Sequence, residues 1–442
     1  MKRIATWIAA LALGTALASC AHRPAPIEAV TGVAEIAQDD VPRVLLIGID
    51  GLRPDIINPV DTPKLFELAQ SGTTTKGMIP VMPSVTFVNF YTLATGQYPE
   101  HHGLVDKGPY DRDKKKQFCI NNDGKDRKWL AGEPIWETAE KQGLNTAVLY
   151  WISAEVPEEG THLRIAPEFS YKATTAQRVK TVAGWFDGPK EKWPRLTAMY
   201  IQEVDSAGHT YGPDSEEYLE AAKNVDAQIS ILLNDLASKG VKENLTVLIV
   251  SDHGMTDVDS QHLIRLERAF DFNKEKFQIA QEKITQENKC TSYYHWNPYL
   301  EIYDVGGGPE AVDAAYHALK NLQHIQVWKR GEMPAHYHID HPDRGPDLLV
   351  VADEGWLLSA RAGALASDPG QAGTHGYDNH LPSMQATFIG NGPIFPKGQT
   401  VGRFENVNVN RMVACALGIT PAETDADVDL VEQITGGRCP AR

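Results

Sequence analysis

Residues 43–51 read RVLLIGIDG. The run from Arg43 to Ile49 has strand length and no polar alternation, which suits a strand covered on both faces. It stops at Asp50-Gly51, and a carboxylate just past the carboxyl end of a parallel strand stands where open α/β sheets hold their ligands. Two later runs repeat the pattern. Leu196 to Gln202 leads into Glu203-Val204-Asp205, with His209 four residues on. Leu245 to Val250, LTVLIV, leads into Ser251-Asp252-His253-Gly254. One Asp-Gly pair is an ordinary turn. Three apolar strands that each end in acid, on the same edge of a parallel sheet, make a site.

The intervening segments read as helices. Thr62 to Ser71 has Pro63 in its first turn and Gly72 after its end. Glu133 to Gln142, Thr174 to Phe186 and Asn408 to Ala416 follow suit. Ser215 to Ser238 places Leu219, Ala222, Val225, Ile229 and Leu232 on one face. With further strands over Asn145–Trp151 and Gln385–Ile389, the pattern predicts an α/β fold. Its central, mostly parallel sheet carries helices on both faces. From Thr256 the segments become shorter and more aromatic, with a helix over Glu310–Leu322 and a strand over Asp347–Val351. This predicts an inserted capping subdomain at about 256–370.

Residues 81–103, VMPSVTFVNFYTLATGQYPEHHG, carry the candidate nucleophile. FVNFYTLATG reads as a helix, and Thr86 stands at its start. A threonine there is commonly an N-cap. The same position aims a hydroxyl and free backbone N–H groups at an anion, and a metal or base would have to activate that hydroxyl.

The acids Asp50, Asp205 and Asp252, with His209, His253 and a later His375 in the turn GTHGYDN, form an oxygen and nitrogen donor set without sulfur. That set suits Zn²⁺. Six side chains are too many for one tetrahedral ion and about right for two, which together clamp the attacking and leaving oxygens of a phosphoryl displacement.

These residues resemble the nucleotide pyrophosphatase/phosphodiesterase family of the alkaline phosphatase superfamily. The likeness is carried by IGIDGLRPD, TPKLFELAQSG, TFVNFYTLATGQYPEHHG, GEPIWETAEKQGL, DSAGHTYGP, SDHGM and HGYDN. It implies an alkaline phosphatase-like catalytic domain over residues 41–442 and two Zn²⁺ ions. One would be held by Asp205, His209 and His375. The other would be held by Asp50, Asp252 and His253, with Thr86 bound beside it. Thr86 would attack phosphorus to give a phosphothreonine ester, and water at the zinc site would hydrolyse it. The substrate implied is a small phosphate ester, a nucleotide phosphodiester or pyrophosphate. Phe87 and Tyr200 fall where the family stacks a nucleobase.

There are departures from the family pattern. Lys107 stands where the family carries an asparagine, with Asp106, Asn121 and Asn122 as other candidates for that contact. Val88 and Val204 replace prolines, and Trp151-Ile152-Ser153-Ala154 replaces Trp-Pro-Gly-Ser. A lysine adds a full charge, which leaves open a phosphomonoesterase using Lys107. Tyr293, Tyr294 and Trp296 leave open a phosphodiesterase for choline or glycerol head groups. A metal-holding binding module would not need Thr86. His101, His102, His336, His338 and His341 read as surface or cap residues.

The chain has 58 acidic against 42 basic residues, which argues against nucleic-acid coating; no obligate protein partner is implied. Residues 1–20 form a lipoprotein signal peptide. Lys2 and Arg3 precede a short apolar run, and Leu17-Ala18-Ser19-Cys20 resembles a lipobox with Cys20 as the lipidated residue. Residues 21–40 read as a tether. An exported protein is expected, anchored by lipid and facing the periplasm from the outer membrane, since Ala21 rather than Asp follows Cys20. Of Cys119, Cys290, Cys415 and Cys439, which suit disulfides in an exported chain, Cys415 and Cys439 are the expected pair. Metabolic labelling with a fatty acid should mark Cys20; an unlabelled, freely soluble mature protein would rule the anchor out.

Overall fold

Every residue of β1 (Arg43–Ile49) is buried. Val44 and Leu46 pack into one apolar layer, while Leu45, Ile47 and Ile49 pack into another. A strand alternates its side chains between faces, so a continuous apolar run needs cover on both. The computed structural model supplies it. It describes residues 41–119, 123–124, 126–158, 161, 163–165, 169–170, 172–241, 244–259, 261–280, 296–360 and 371–439. These lie in the unit Gln38–Arg442.

The other main-sheet strands are β2 (Thr73–Thr75), β3 (Thr146–Leu149), β4 (Arg164–Ile165), β5 (Leu196–Ile201), β6 (Leu245–Val250), β7 (Phe388–Asn391) and β8 (Gln399–Val401). The eight-stranded sheet has the order β8-β2-β7-β6-β1-β5-β3-β4. Only β7 runs against the rest. The helices that matter are α1 (Pro63–Ser71), α2 (Thr86–Thr95), α3 (Ile135–Lys141), α4 (Thr175–Gly184), α5 (Glu203–Tyr211), α6 (Glu216–Ser238) and α7 (Asn408–Leu417). Helices α2, α3 and α7 bury Phe90, Leu93, Trp136, Met412 and Val413 on one face of the sheet. Helices α1, α4 and α6 bury Leu65, Val182, Val225, Ile229 and Leu232 on the other. The predicted α/β architecture is therefore the one observed.

β1 lies between β5 and β6, so the three acid-bearing strand ends are neighbours. Gly48 lets α2 settle directly over β1, because a Cβ there would sit 2.4 Å from Phe90 Cε1.

Several boundaries shift for local reasons. The acid Asp205 is not a strand-end residue: β5 stops at Ile201, and Asp205 lies in the first turn of α5. The expected strand at Gln385 begins instead at Phe388, since the Gln385 side chain donates to Asn379 and Leu381 carbonyls. In the insert the helix spans Gly308–Leu319. It starts early because the Asp304 carboxylate accepts the N–H groups of Gly306, Gly307 and Gly308.

Residues of the insert form a separate antiparallel sheet, with Tyr299–Asp304 and Leu348–Ala352 at its centre and Phe277–Ile279 and Ile325–Lys329 outside. Leu266, Ile302, Leu319, Val350 and Leu358 pack together under it. The expected Cys415–Cys439 disulfide is present, and Cys119 is also disulfide-bonded. The signal peptide with Cys20, the tether, Asn121, Asn122, Cys290, Tyr293 and Tyr294 lie outside the described residues.

Candidate active site

The site stands at the carboxyl ends of β1, β5 and β6. Asp50 follows β1, and Asp252 and His253 follow β6. Asp205 and His209, one helical turn apart, share a face of α5. His375 follows a short strand at Gly373–Thr374 that pairs with Thr256–Asp257. All six predicted ligand candidates converge, although they come from four separate stretches of chain.

The histidines are oriented by their outer nitrogens. His209 Nδ1 donates to Gly373 O at 2.9 Å, His253 Nδ1 to Gly254 O at 2.8 Å and His375 Nδ1 to Ser84 O at 2.8 Å. A carbonyl only accepts, so each Nδ1 carries a proton and each Nε2 turns towards the cluster. His209 Nε2 and His375 Nε2 then meet at 3.2 Å, with Asp205 Oδ1 3.4 Å and 3.6 Å from them. His253 Nε2 lies 3.3 Å from Asp50 Oδ1 and 2.9 Å from Asp252 Oδ2.

Two sets therefore offer one ligand atom each within a common radius: Asp205, His209 and His375, and Asp50, Asp205 and His253. Asp205 stands between them. Asp252 is tied to the second set by its contact with His253 and accepts from Gly51 N at 3.1 Å. The buried oxygens Asp205 Oδ1 and Asp252 Oδ2 face histidine Nε2 atoms at 3.4 and 2.9 Å, and charge buried there is costly unless opposite charge offsets it.

The electrostatics say the same. Burial, then the charges of Asp205 and Asp252, hold the Asp50 carboxyl well above the usual range, and burial raises Asp205 as well. Burial, His253 and His209 push His375 well below an ordinary histidine. For His253, burial opposes the imidazolium, but the charges of Asp252 and Asp205 outweigh it and the pKa rises. The Asp50 and Asp205 carboxyls are thus pushed towards their protonated forms and His375 towards its neutral one, while the acids around His253 push it the other way.

Thr86 is the first residue of α2. It does not cap that helix; the cap position is Val85, which makes no side-chain bond. Its Oγ1 faces the donor cluster instead, 3.3 Å from His253 Nε2 and 3.5 Å from Asp50 Oδ1. The unpaired amides and positive end of α2 point the same way.

Other predicted positions are less uniform. Tyr200 directs its hydroxyl onto Asp50 Oδ2 at 2.5 Å. Phe87 is partly buried beside Tyr91, Leu104, Phe118 and Trp129. Lys107 is partly buried; burial lowers its pKa, and its charge acts on His375. Trp296 is buried in the insert. His102 is not a surface residue: it is fully buried and bonded to Thr92 Oγ1 at 2.9 Å.

Sequence reasoning missed Asn89. Its amide oxygen accepts from Val81 N at 2.7 Å, and its amide nitrogen donates to Pro83 O at 3.0 Å and Val85 O at 3.1 Å. It ties down the turn that delivers Thr86. The available signal was an asparagine inside the otherwise apolar helical run FVNFY.

An α/β sheet with a threonine hydroxyl at a helix start beside Asp/His groups able to hold a metal ion is the site that the chain presents. The model for type I phosphodiesterase / nucleotide pyrophosphatase matches residues 44–378, and the chain belongs to that family. Human ectonucleotide pyrophosphatase/phosphodiesterase family member 1 is 30% identical over 407 residues, covering 90% of this chain and 42% of that protein. Venom phosphodiesterase CdcPDE of Crotalus durissus collilineatus is 30% identical over 387 residues, covering 86% of this chain and 45% of that one. The chain thus spans less than half the length of these relatives. The solved structure of murine ectonucleotide pyrophosphatase/phosphodiesterase 5 superposes with a TM-score of 0.77 at 26% identity. It covers 89% of this chain and 99% of that one.

Replacing Asn89 by Ala should leave buried backbone groups of the 81–85 turn unpaired and cost about 2–4 kcal/mol of stability. A shifted urea midpoint would report it. The surviving folded fraction should also lose turnover through kcat more than through KM, as Thr86 drifts from the cluster.

Proposed function

We propose that this chain is a two-zinc hydrolase that cleaves nucleotide phosphodiester or pyrophosphate bonds through a phosphothreonine at Thr86. The observation that carries the reading is the convergence of Thr86 Oγ1 on His253 and Asp50 within 3.5 Å, at the edge of the buried donor cluster. Its relatives support the substrate class. Several are named as nucleotide pyrophosphatase/phosphodiesterases, and a threonine-to-alanine inactive form of the murine structural relative was solved in complex with AMP.

The donor set fits zinc: nitrogen and carboxylate oxygen, no sulfur, histidines held through Nδ1 and two buried carboxylate oxygens turned towards their Nε2 atoms. Asp205, His209 and His375 would hold one ion, and Asp50, Asp252 and His253 the other. Bound there, zinc would supply Lewis-acid polarisation of the phosphoryl oxygen and lower the pKa of the attacking hydroxyl.

The chain's own residues do the rest. The start of α2 presents its unpaired amides to the equatorial phosphate oxygens. Asn89 fixes the turn so that Thr86 Oγ1 approaches in line. Oγ1 gives its proton to solvent water and bonds phosphorus as the bond to the leaving oxygen breaks, and that oxygen departs as an anion that solvent protonates. Water then breaks the Oγ1–P bond and restores the threonine. Phe87 offers a ring to the leaving side.

Lys107 motivates a second reading. Its charge already acts on His375, and a cation so close to the site suits a dianionic phosphate. The same machinery would then cleave phosphomonoesters.

The test is a panel of p-nitrophenyl thymidine monophosphate, a dinucleoside pyrophosphate and p-nitrophenyl phosphate. The diester and the pyrophosphate should be cleaved. Turnover should vanish with chelator, return with Zn²⁺, and fall on the order of 10³-fold or more in Thr86→Ala. A zinc-loaded protein that cleaves only the monoester would hand the case to the Lys107 reading. Full activity in Thr86→Ala would refute both.

A further inference from the structure

Asp50 must present a single oxygen to the cluster, and its two oxygens have different partners. Oδ1 faces Thr86 Oγ1 and His253 Nε2. Oδ2 is turned away and accepts from the Tyr200 hydroxyl at 2.5 Å. Tyr200 lies on β5 directly beside Gly48 of β1, two residues before Asp50. Its ring therefore has a fixed route to Oδ2 across the strand pair.

That ring is itself held on several sides. Phe90 of α2 meets it edge-on, with centroids 5.0 Å apart and planes at 88°. The Arg178 guanidinium, from α4, sits 5.9 Å from the ring centroid. Arg178 also donates to Tyr200 O at 2.6 Å and bonds the Gln202 side chain. Arg178 is buried, so the end of β5 has little freedom to move.

We infer that Tyr200 is a positioning residue for Asp50: its hydroxyl fixes the carboxylate so that Oδ1 alone is offered to a cation beside Thr86. The inference rests on the zinc reading above. The chemistry is that of an outer partner orienting a ligand. A phenol O–H bonded to one carboxylate oxygen stabilises the ionised form, sets the rotation about the Cβ–Cγ bond and leaves the other oxygen for the metal. Without that hydroxyl the Asp50 carboxylate would be free to rotate, and Tyr200 opposes this. Stacking against a substrate base does not need the hydroxyl, so the two roles separate in a Phe variant.

The experiment measures zinc affinity of the full chain by competition with a chromogenic chelator, with no substrate present. Wild type, Tyr200→Phe and a variant carrying 4-aminophenylalanine at position 200 are compared, each checked for native circular dichroism. The Phe variant keeps the ring against Phe90 and Arg178 but removes the donor. Its Kd for one of two ions should rise about 10- to 100-fold, with the other unchanged. The amino variant restores a donor and should recover most of the loss. Wild-type affinity in Tyr200→Phe, or no recovery with the amino group, overturns the inference. Failure of the wild type itself to bind zinc would instead refute the zinc reading.

Discussion

Three carboxylates, Asp50 and Asp252 fully buried and Asp205 partly so, stand within one another's fields, and that mutual repulsion is the constraint on which the site turns. Packing cannot relieve it, because each carboxylate is fixed by an element that the core needs elsewhere. Asp50 and Asp252 end strands buried on both faces. Asp205 rides on a helix that follows the third. A cation is the natural relief, and the histidines are arranged for one: each commits its Nδ1 proton to a backbone carbonyl and keeps Nε2 for the centre.

The rest of the fold serves this arrangement. The sheet order places β1 between β5 and β6, so three distant segments of sequence become neighbours at their carboxyl ends. Gly48 admits Phe90, which sets α2 over β1. Asn89 then fixes the turn before α2, and Ser84 O in that same turn orients His375. Thr86 and His375 are thus positioned by the same few residues. A shift of this turn would disturb both at once.

Most of the architecture was legible because buried parallel strands write themselves as continuous apolar runs. The ligand candidates were legible for a related reason: a charged residue straight after such a run has few other uses. Asp205 was read as a strand end when it lies a helical turn further on, where its spacing from His209 puts the two on one helix face. What stayed hidden were contacts made by residues whose type has several ordinary roles. Asn89 looked like a polar interruption in a helix, and His102 like one histidine among many at the surface. The Tyr200 hydroxyl looked secondary to its ring. Each depends on register between strands or on packing between a loop and a helix, and no local pattern records that.

Diffraction at the zinc absorption edge from crystals of the zinc-loaded full chain addresses the central claim most directly. Two anomalous peaks are predicted about 4 Å apart. One should be enclosed by Asp205, His209 and His375, and the other by Asp50, Asp252 and His253, with Thr86 Oγ1 facing the second. A single peak, or peaks remote from Thr86, would contradict the account.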